Sequence, residues 1–473
     1  MTNGSIQFWD FGVWQLVIIT AVLMGAMLAA NALRRKIAFL RRSLIPASVL
    51  AGFIVLIVSG LYELITGEKM MNPSMLETLT YHGLGLGFVA LALRRLDKQR
   101  NAKARRDIFN TSLVVVNTYL VQLVAGLIIS LALFYMIGSF AASGALLPMG
   151  FGQGPGQAYN WGHNFQEKGF DGGTSFGLSI AACGFIVASV GGVIYLNSLR
   201  RKGVVKVYDN AAEMERVSAE TIASPGEIPM SESMDKLTVQ FALIFVAYGI
   251  TYAFMWGMNQ LFCGIPFYDN TVMSLLWGFN FLVGTAAAIL VRSVLALLKK
   301  KGAMKREYTN NFLLNRISGF MFDLMVVASI AAIDLSAFTK KEFLIPLFSI
   351  CILGGIVTYI FVRFVTKRLF PDYEHEAFLS LFGMLTGTAS TGVILLREID
   401  PNFDTPASGN LIYQNLWAII FGFPMLLLLG YVANSIGWAW TVLGILTVMF
   451  LGMNVLMFRA LIFKRKGKKD KAR

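Results

Sequence analysis

Apolar runs of about twenty residues recur along this chain with almost no charge inside them, and that recurrence decides what it can fold into. A bilayer core takes about 20 residues of helix to cross. Hydrocarbon leaves backbone polar groups no partner but each other, so helices are the natural solution. Of the 473 residues, 56% are hydrophobic and 14% are charged, against about 25% charged in soluble domains. An ordinary water-soluble fold would lack the polar surface to cover itself. The expected fold class is an all-α polytopic membrane protein.

Eleven spans are expected, at about 13–33, 44–62, 78–94, 112–137, 174–197, 237–262, 271–298, 317–334, 345–366, 410–433 and 437–460. The third is short, glycine-rich and carries His82; the eighth carries Asp323. The start "MTNGSIQFWD" has no basic n-region and no small-residue cleavage site, so the first run is expected to be a retained helix. Cys183, Cys263 and Cys351 stand far apart and form neither a metal pattern nor a disulfide framework.

The net charge of +14 raises the question of a nucleic-acid partner, and its distribution argues against one. With the N-terminus outside, the inner segments hold 37 of the 41 Lys and Arg residues. The outer loops hold only Lys69, Lys168, Lys340 and Lys341. Basic residues near span ends fix orientation and meet anionic lipid. The expected setting is the inner membrane, with the C-terminal "KRKGKKDKAR" on the cytoplasmic side.

A second feature conflicts with the first. The stretch "GFGQGPGQAYNWGH" at 150–163 puts five glycines and a proline between two apolar runs. A second small-residue insert, "AFLSLFGMLTGTASTGVILL", lies at 377–396. Both follow the fourth span of a five-span half. The expected organisation is a first repeat at 1–200 with a re-entrant segment at 144–165. A cytoplasmic linker follows at 201–236, then a second repeat at 237–434 with a re-entrant segment at 377–397. An extra helix and basic tail occupy 435–473. Five is odd, so the second half enters inverted and the inserts approach from opposite faces. Inverted-repeat transporters place broken segments of this kind at the midplane. Two plainer readings stand beside this one: an outer loop at 150–163, and an unbroken twelfth span at 377–397. The charge count disfavours the latter, which would put the basic tail outside.

The order of spans and the two inserts resemble the bacterial sodium/glutamate symporters. That family's first insert reads Gly-Gly-His-Gly-Thr-Gly-Ala-Ala before an aromatic. Here the stretch is Phe151-Gly152-Gln153-Gly154-Pro155-Gly156-Gln157-Ala158, followed by Tyr159. The three glycines match, while Gln153 takes the His position and Pro155 the Thr position. The family's second insert carries Gly-Ala-Thr-Pro-Thr-Ala. Here it is Gly387-Thr388-Ala389-Ser390-Thr391-Gly392, which keeps the glycine and the second threonine but not the proline. The resemblance covers roughly 13–434 and leaves 437–460 outside. It implies a homodimer whose protomers each have a scaffold and a moving core. It also implies Na⁺-coupled symport of glutamate or a related small organic anion by an elevator-like motion.

Candidate substrate contacts are Gly152, Gln153, Gly154, Gly156 and Gln157, through backbone N–H groups near a helix start and neutral amides. Thr388, Ser390 and Thr391 offer hydroxyls from the second insert. Candidate ion ligands are Asp323, Thr386 and Ser390. Asp323 is the acid well inside an expected span, and intramembrane acids mark ion or substrate paths; the family pattern carries no acid there. Proton coupling through Asp323, or a hydroxycarboxylate or dicarboxylate substrate, is the alternative within the transporter reading. A transport-inactive sensor or scaffold is the alternative outside it. Arg397 closes the second insert, where it reaches a substrate carboxylate or snorkels to the cytoplasm. Asn117, Gln122, Asn280, Gln414 and Asn415 are expected to bridge helices, and His82 and His163 to be structural. No nucleotide-binding Gly/Lys pattern, HExxH motif or nucleophile triad is present, so neither an enzyme nor a cofactor beyond Na⁺ is expected.

Overall fold

The computed structural model describes residues 8–95, 102–204, 235–265, 268–304, 306–400 and 404–459. Most of the expected linker at 201–236 and nearly all of the basic tail lie outside the described residues. Among the described residues the chain is helical throughout, with no strand. Nine helices there are long and apolar enough to cross a membrane. They are Phe11–Lys36, Ala47–Thr66, Ala102–Ile137, Gly173–Arg201, Lys236–Phe262, Asn280–Lys300, Asn311–Ala331, Lys341–Leu369 and Ile436–Met457. The chain is a multi-pass helical membrane protein.

The third and tenth expected spans fall outside this set. Pro73–Ala92 starts on an Asn72 cap, whose side chain accepts from the Ser74 N–H at 3.0 Å. Its glycines and polar residues leave it outside the apolar set. The expected tenth span divides at Gln414 into Ala407–Tyr413 and Asn415–Val432. The expected seventh divides at Phe279 into Met273–Gly278 and Asn280–Lys300.

The chain separates into two compact units. The first takes Met1–Leu28, Ala51–Lys98 and Asp209–Ala331. At its centre, Pro73–Ala92 packs against Asn311–Ala331 at glycines. The place of a Cβ on Gly83 is 3.0 Å from the Met325 Cβ, and the Ser318 hydroxyl donates to the Gly87 carbonyl at 3.0 Å. His82 pairs with the Tyr248 hydroxyl at 2.8 Å, and the Asn280 amide donates to that hydroxyl at 3.0 Å. These residues knit three helices together, the bridging role expected of Asn280 and a structural one for His82.

The second unit takes Ala29–Leu50, Gln99–Tyr208 and Ala332–Arg473. Its core runs from Leu113 through Leu196, Val362 and Phe378 to Leu396 and Met457. Ile436–Met457 lies along Ala102–Ile137. There the Asn117 amide donates to the Met457 sulfur at 3.6 Å, and Trp440 Nε1 donates to the Tyr135 hydroxyl at 3.3 Å. Both glycine-rich inserts fall in this unit.

Candidate binding site

Neither insert is a continuous helix. The first runs as Leu147–Phe151, a break at 152–154, and Pro155–Glu167. The second runs as Glu374–Thr386, a break at Gly387–Thr388, and Ala389–Arg397. An unbroken twelfth span at 377–397 is therefore not what forms. In the first, the Gly152 and Gln153 N–H groups both donate to the Pro148 carbonyl at 3.0 Å, ending the short helix. Gly154 then sits at φ 86°, ψ −178°, a backbone region that side chains exclude. Pro155 follows at the first helical position, where its missing N–H costs nothing.

The second helix of each insert leaves donors at its start. In Pro155–Glu167 the ladder opens with the Ala158 N–H on the Gly154 carbonyl at 3.1 Å. The Gly156 and Gln157 N–H groups precede it and stand outside that ladder. In Ala389–Arg397 the ladder opens with the Gly392 N–H on the Thr388 carbonyl at 3.0 Å. These two helix starts meet. The place of a Cβ on Gly154 is 3.5 Å from Thr388 Cγ2 and 4.0 Å from the Gly387 carbonyl oxygen. Gly154 and Thr388 are the N-cap residues of the two helices. Two positive helix ends thus converge, the arrangement that favours an anion between them.

Three long helices of the same unit hold this junction. From Ala102–Ile137, the Tyr119 hydroxyl donates to the Gly152 carbonyl at 3.2 Å. One turn on, the Gln122 amide donates to the Leu385 carbonyl and to the Thr358 hydroxyl of Lys341–Leu369, each at 2.9 Å. Gly173–Arg201 faces both inserts with glycines. A Cβ on Gly177 would collide with the Ala158 carbonyl, and one on Gly184 with the Thr386 carbonyl. Gly191 meets the Phe382 ring at 2.6 Å and Gly192 the Leu395 side chain at 2.5 Å, measured from the place of a Cβ. Cys183 and Cys351 come close to one another here, a proximity the sequence did not indicate.

The structure gathers most of the sequence-predicted residues. Gly152, Gln153, Gly154, Gly156 and Gln157 occupy the first break and the turn after it. Thr386, Thr388, Ser390 and Thr391 surround the second. The Thr386 hydroxyl donates to its own helix at the Phe382 carbonyl, 2.7 Å away. Thr388 and Thr391 hydroxyls pair at 3.3 Å, while Ser390 is exposed. Asp323 is half-buried on Asn311–Ala331 of the first unit and is not among the residues the second unit gathers. Arg397 is exposed at the far end of its helix. His163 is exposed, with Nε2 3.5 Å from Glu167. A cavity of about 630 Å³ also opens in the second unit, lined by Phe134, Phe170, Lys340 and Ile436 among others; no predicted site residue lines it.

No family model, curated protein or solved structure matches this chain. The meaning of the junction comes from its own chemistry. Sequence reasoning passed over Tyr119 and treated Gln122 only as a bridge. The signal was present: Ser112, Tyr119, Gln122, Gly126 and Ser130 recur at helical spacing along one face of Ala102–Ile137. The Ser112 hydroxyl reaches the Gln414 carbonyl at 2.8 Å, and the Ser130 hydroxyl the Ala141 carbonyl at 2.7 Å.

Proposed function

We propose that the chain is a secondary active transporter of the inner membrane. It carries glutamate or a related small carboxylate in symport with Na⁺. The observation that carries this reading is the meeting of two helix N-termini at Gly154 and Thr388, from two inserts far apart in sequence. Broken helices in corresponding places of two halves are the sequence-level mark of inverted-repeat transport. In this reading the second unit, with both breaks, is the moving core. The first unit is the scaffold through which two copies pair. The substrate carboxylate lies at the Gly156 and Gln157 N–H groups. The hydroxyls of Thr388 and Thr391 and the carbonyls around the second break supply hard oxygens for Na⁺. The N-terminus is outside and the C-terminus cytoplasmic.

The test is uptake of radiolabelled glutamate and other small carboxylates into proteoliposomes, with and without an inward Na⁺ gradient. Na⁺-dependent accumulation of any member supports the reading. Accumulation driven by a proton gradient, and lost in Asp323→Asn, replaces Na⁺ with protons as the coupling ion. No accumulation of any member, in folded and correctly oriented protein, assigns the fold to a sensor or scaffold.

A further inference from the structure

Gln157 is the third residue of Pro155–Glu167 and is 1% exposed. Neither its amide oxygen nor its amide nitrogen has a hydrogen-bond partner. Its neighbours at the junction contrast with it. Tyr119, Gln122, Thr386, Thr388 and Thr391 each make at least one side-chain hydrogen bond, with the Gln122 amide oxygen alone of their atoms left unmatched, whereas Gln157 makes none. A buried polar group left unmatched is costly, and native proteins match nearly all of them. Side chains in a helix lean toward its N-terminus, so this amide leans toward Gly154, where the two helix starts meet.

The pair of unmatched atoms specifies what completes it. The oxygen requires a donor and the nitrogen an acceptor. A carboxylate offers acceptors only and would set its charge against the Gln157 oxygen. An ammonium or guanidinium group offers donors only. A carboxamide offers one of each in a single plane and closes a reciprocal pair of hydrogen bonds. Charge points the same way. The segments 147–160 and 383–396, which contain both breaks, have no Lys, Arg, Asp or Glu. The helix starts provide for one carboxylate, and no cationic side chain in those segments answers a second.

We infer that the site selects an amino acid bearing a side-chain carboxamide, with the carboxamide paired to Gln157. This deepens the transport reading and rests on it for the site's purpose, while the binding it describes is measurable without transport. The experiment measures equilibrium binding of radiolabelled L-glutamine to the purified full chain in detergent, with L-glutamate as competitor. It is repeated for Gln157→Leu and, as a control, for Gln166→Leu, an exposed amide at the far end of the same helix. Wild type is expected to prefer glutamine by about tenfold, the worth of roughly two net hydrogen bonds. Gln157→Leu is expected to bring the two amino acids within about twofold of each other, and Gln166→Leu to keep the preference. A wild-type preference for glutamate overturns the inference, and so does a preference that survives in Gln157→Leu. Uptake in proteoliposomes separates the two claims. Glutamine bound while no member of the carboxylate panel is accumulated leaves the inference standing and removes the transport reading. Na⁺-driven glutamate uptake that glutamine does not inhibit does the reverse. Binding of neither compound overturns the inference, while the transport reading still turns on uptake of the wider carboxylate panel.

Discussion

The two broken segments solve one structural problem with different means. The first interrupts its helix with backbone that glycine alone adopts, at Gly154. It fixes its entry through bare backbone contact. Gly126 and Gly144 meet so closely that a Cβ on either would strike the other's carbonyl. The second breaks at an ordinary extended residue, Thr388 at φ −144°, ψ 171°. Its entry is tied by side chains. Asp372 accepts from Lys103 at 2.8 Å, Glu374 from Arg363 at 3.0 Å, and His375 pairs with the Tyr195 hydroxyl at 2.8 Å. The first tip carries amides and the second hydroxyls. A converging pair of helix ends therefore requires neither sequence symmetry nor a shared glycine motif. It requires only that each chain be able to stop a helix and start another within two or three residues.

The difference makes predictions of graded size. The largest concerns Gly154. Replacement by Val forces a β-branched residue into a region worth about 1–3 kcal/mol of strain and drives its methyls toward Thr388. Gly154→Val is expected to reduce proteoliposome uptake at least a hundredfold while membrane insertion, followed by fractionation, is retained. Thr388→Val, whose backbone suits any residue, is expected to leave uptake within about tenfold of wild type, as fits the loss of one neutral hydroxyl contact. Equal losses in the two variants would erase the distinction between the breaks.

Next in size is Gly184, which touches both segments. A Gly-to-Ala change inside a helix ordinarily adds up to about 1 kcal/mol of stability. Here the new methyl collides with the Thr386 carbonyl, and overpacking of this kind costs about 1–3 kcal/mol. A lowered thermal midpoint of Gly184→Ala in detergent is the expected outcome; a raised one would mean that the helix is free to shift. Tyr119→Phe removes one hydrogen bond to the Gly152 carbonyl. It is expected to cost about 0.5–1.5 kcal/mol, read by denaturation in the same detergent.

The smallest effect is a pH dependence at the second segment's entry. The hydrogen bond from Lys103 and its charge hold the Asp372 carboxyl below its ordinary range. A depressed carboxyl stabilises the fold above its unfolded pKa, and that contribution fades as pH falls through the folded value. The gap in thermal midpoint between wild type and Asp372→Asn is expected to be present at pH 6 and to close below about pH 4. A gap that widens on acidification would remove this ion pair from the account of how the segment is held.

Much of this was legible in the sequence because hydropathy at a twenty-residue scale is a strong signal and helix-breaking residues are scarce in apolar runs. Nine of the expected spans fall on helices long and apolar enough to cross a membrane among the described residues, and both inserts break where glycine, proline and threonine cluster. The interruptions at Phe279 and Gln414 were not legible. Neither residue is a breaker, so local pattern carries no mark of them. The sorting of the helices into two units was also hidden, because local pattern carries no record of which helices meet. Gln157 read as one neutral amide among several. Only its burial and its unmatched atoms set it apart from Gln153, four residues earlier on the same tip.

The glycine face of Gly173–Arg201 has a consequence for how this protein diversifies. At Gly177 and Gly184 even one added carbon is excluded, so drift along that face has almost nowhere to go. In the proposed site, room for a changed side chain lies at the half-buried Gln153 and the exposed Ser390 rather than on this helix.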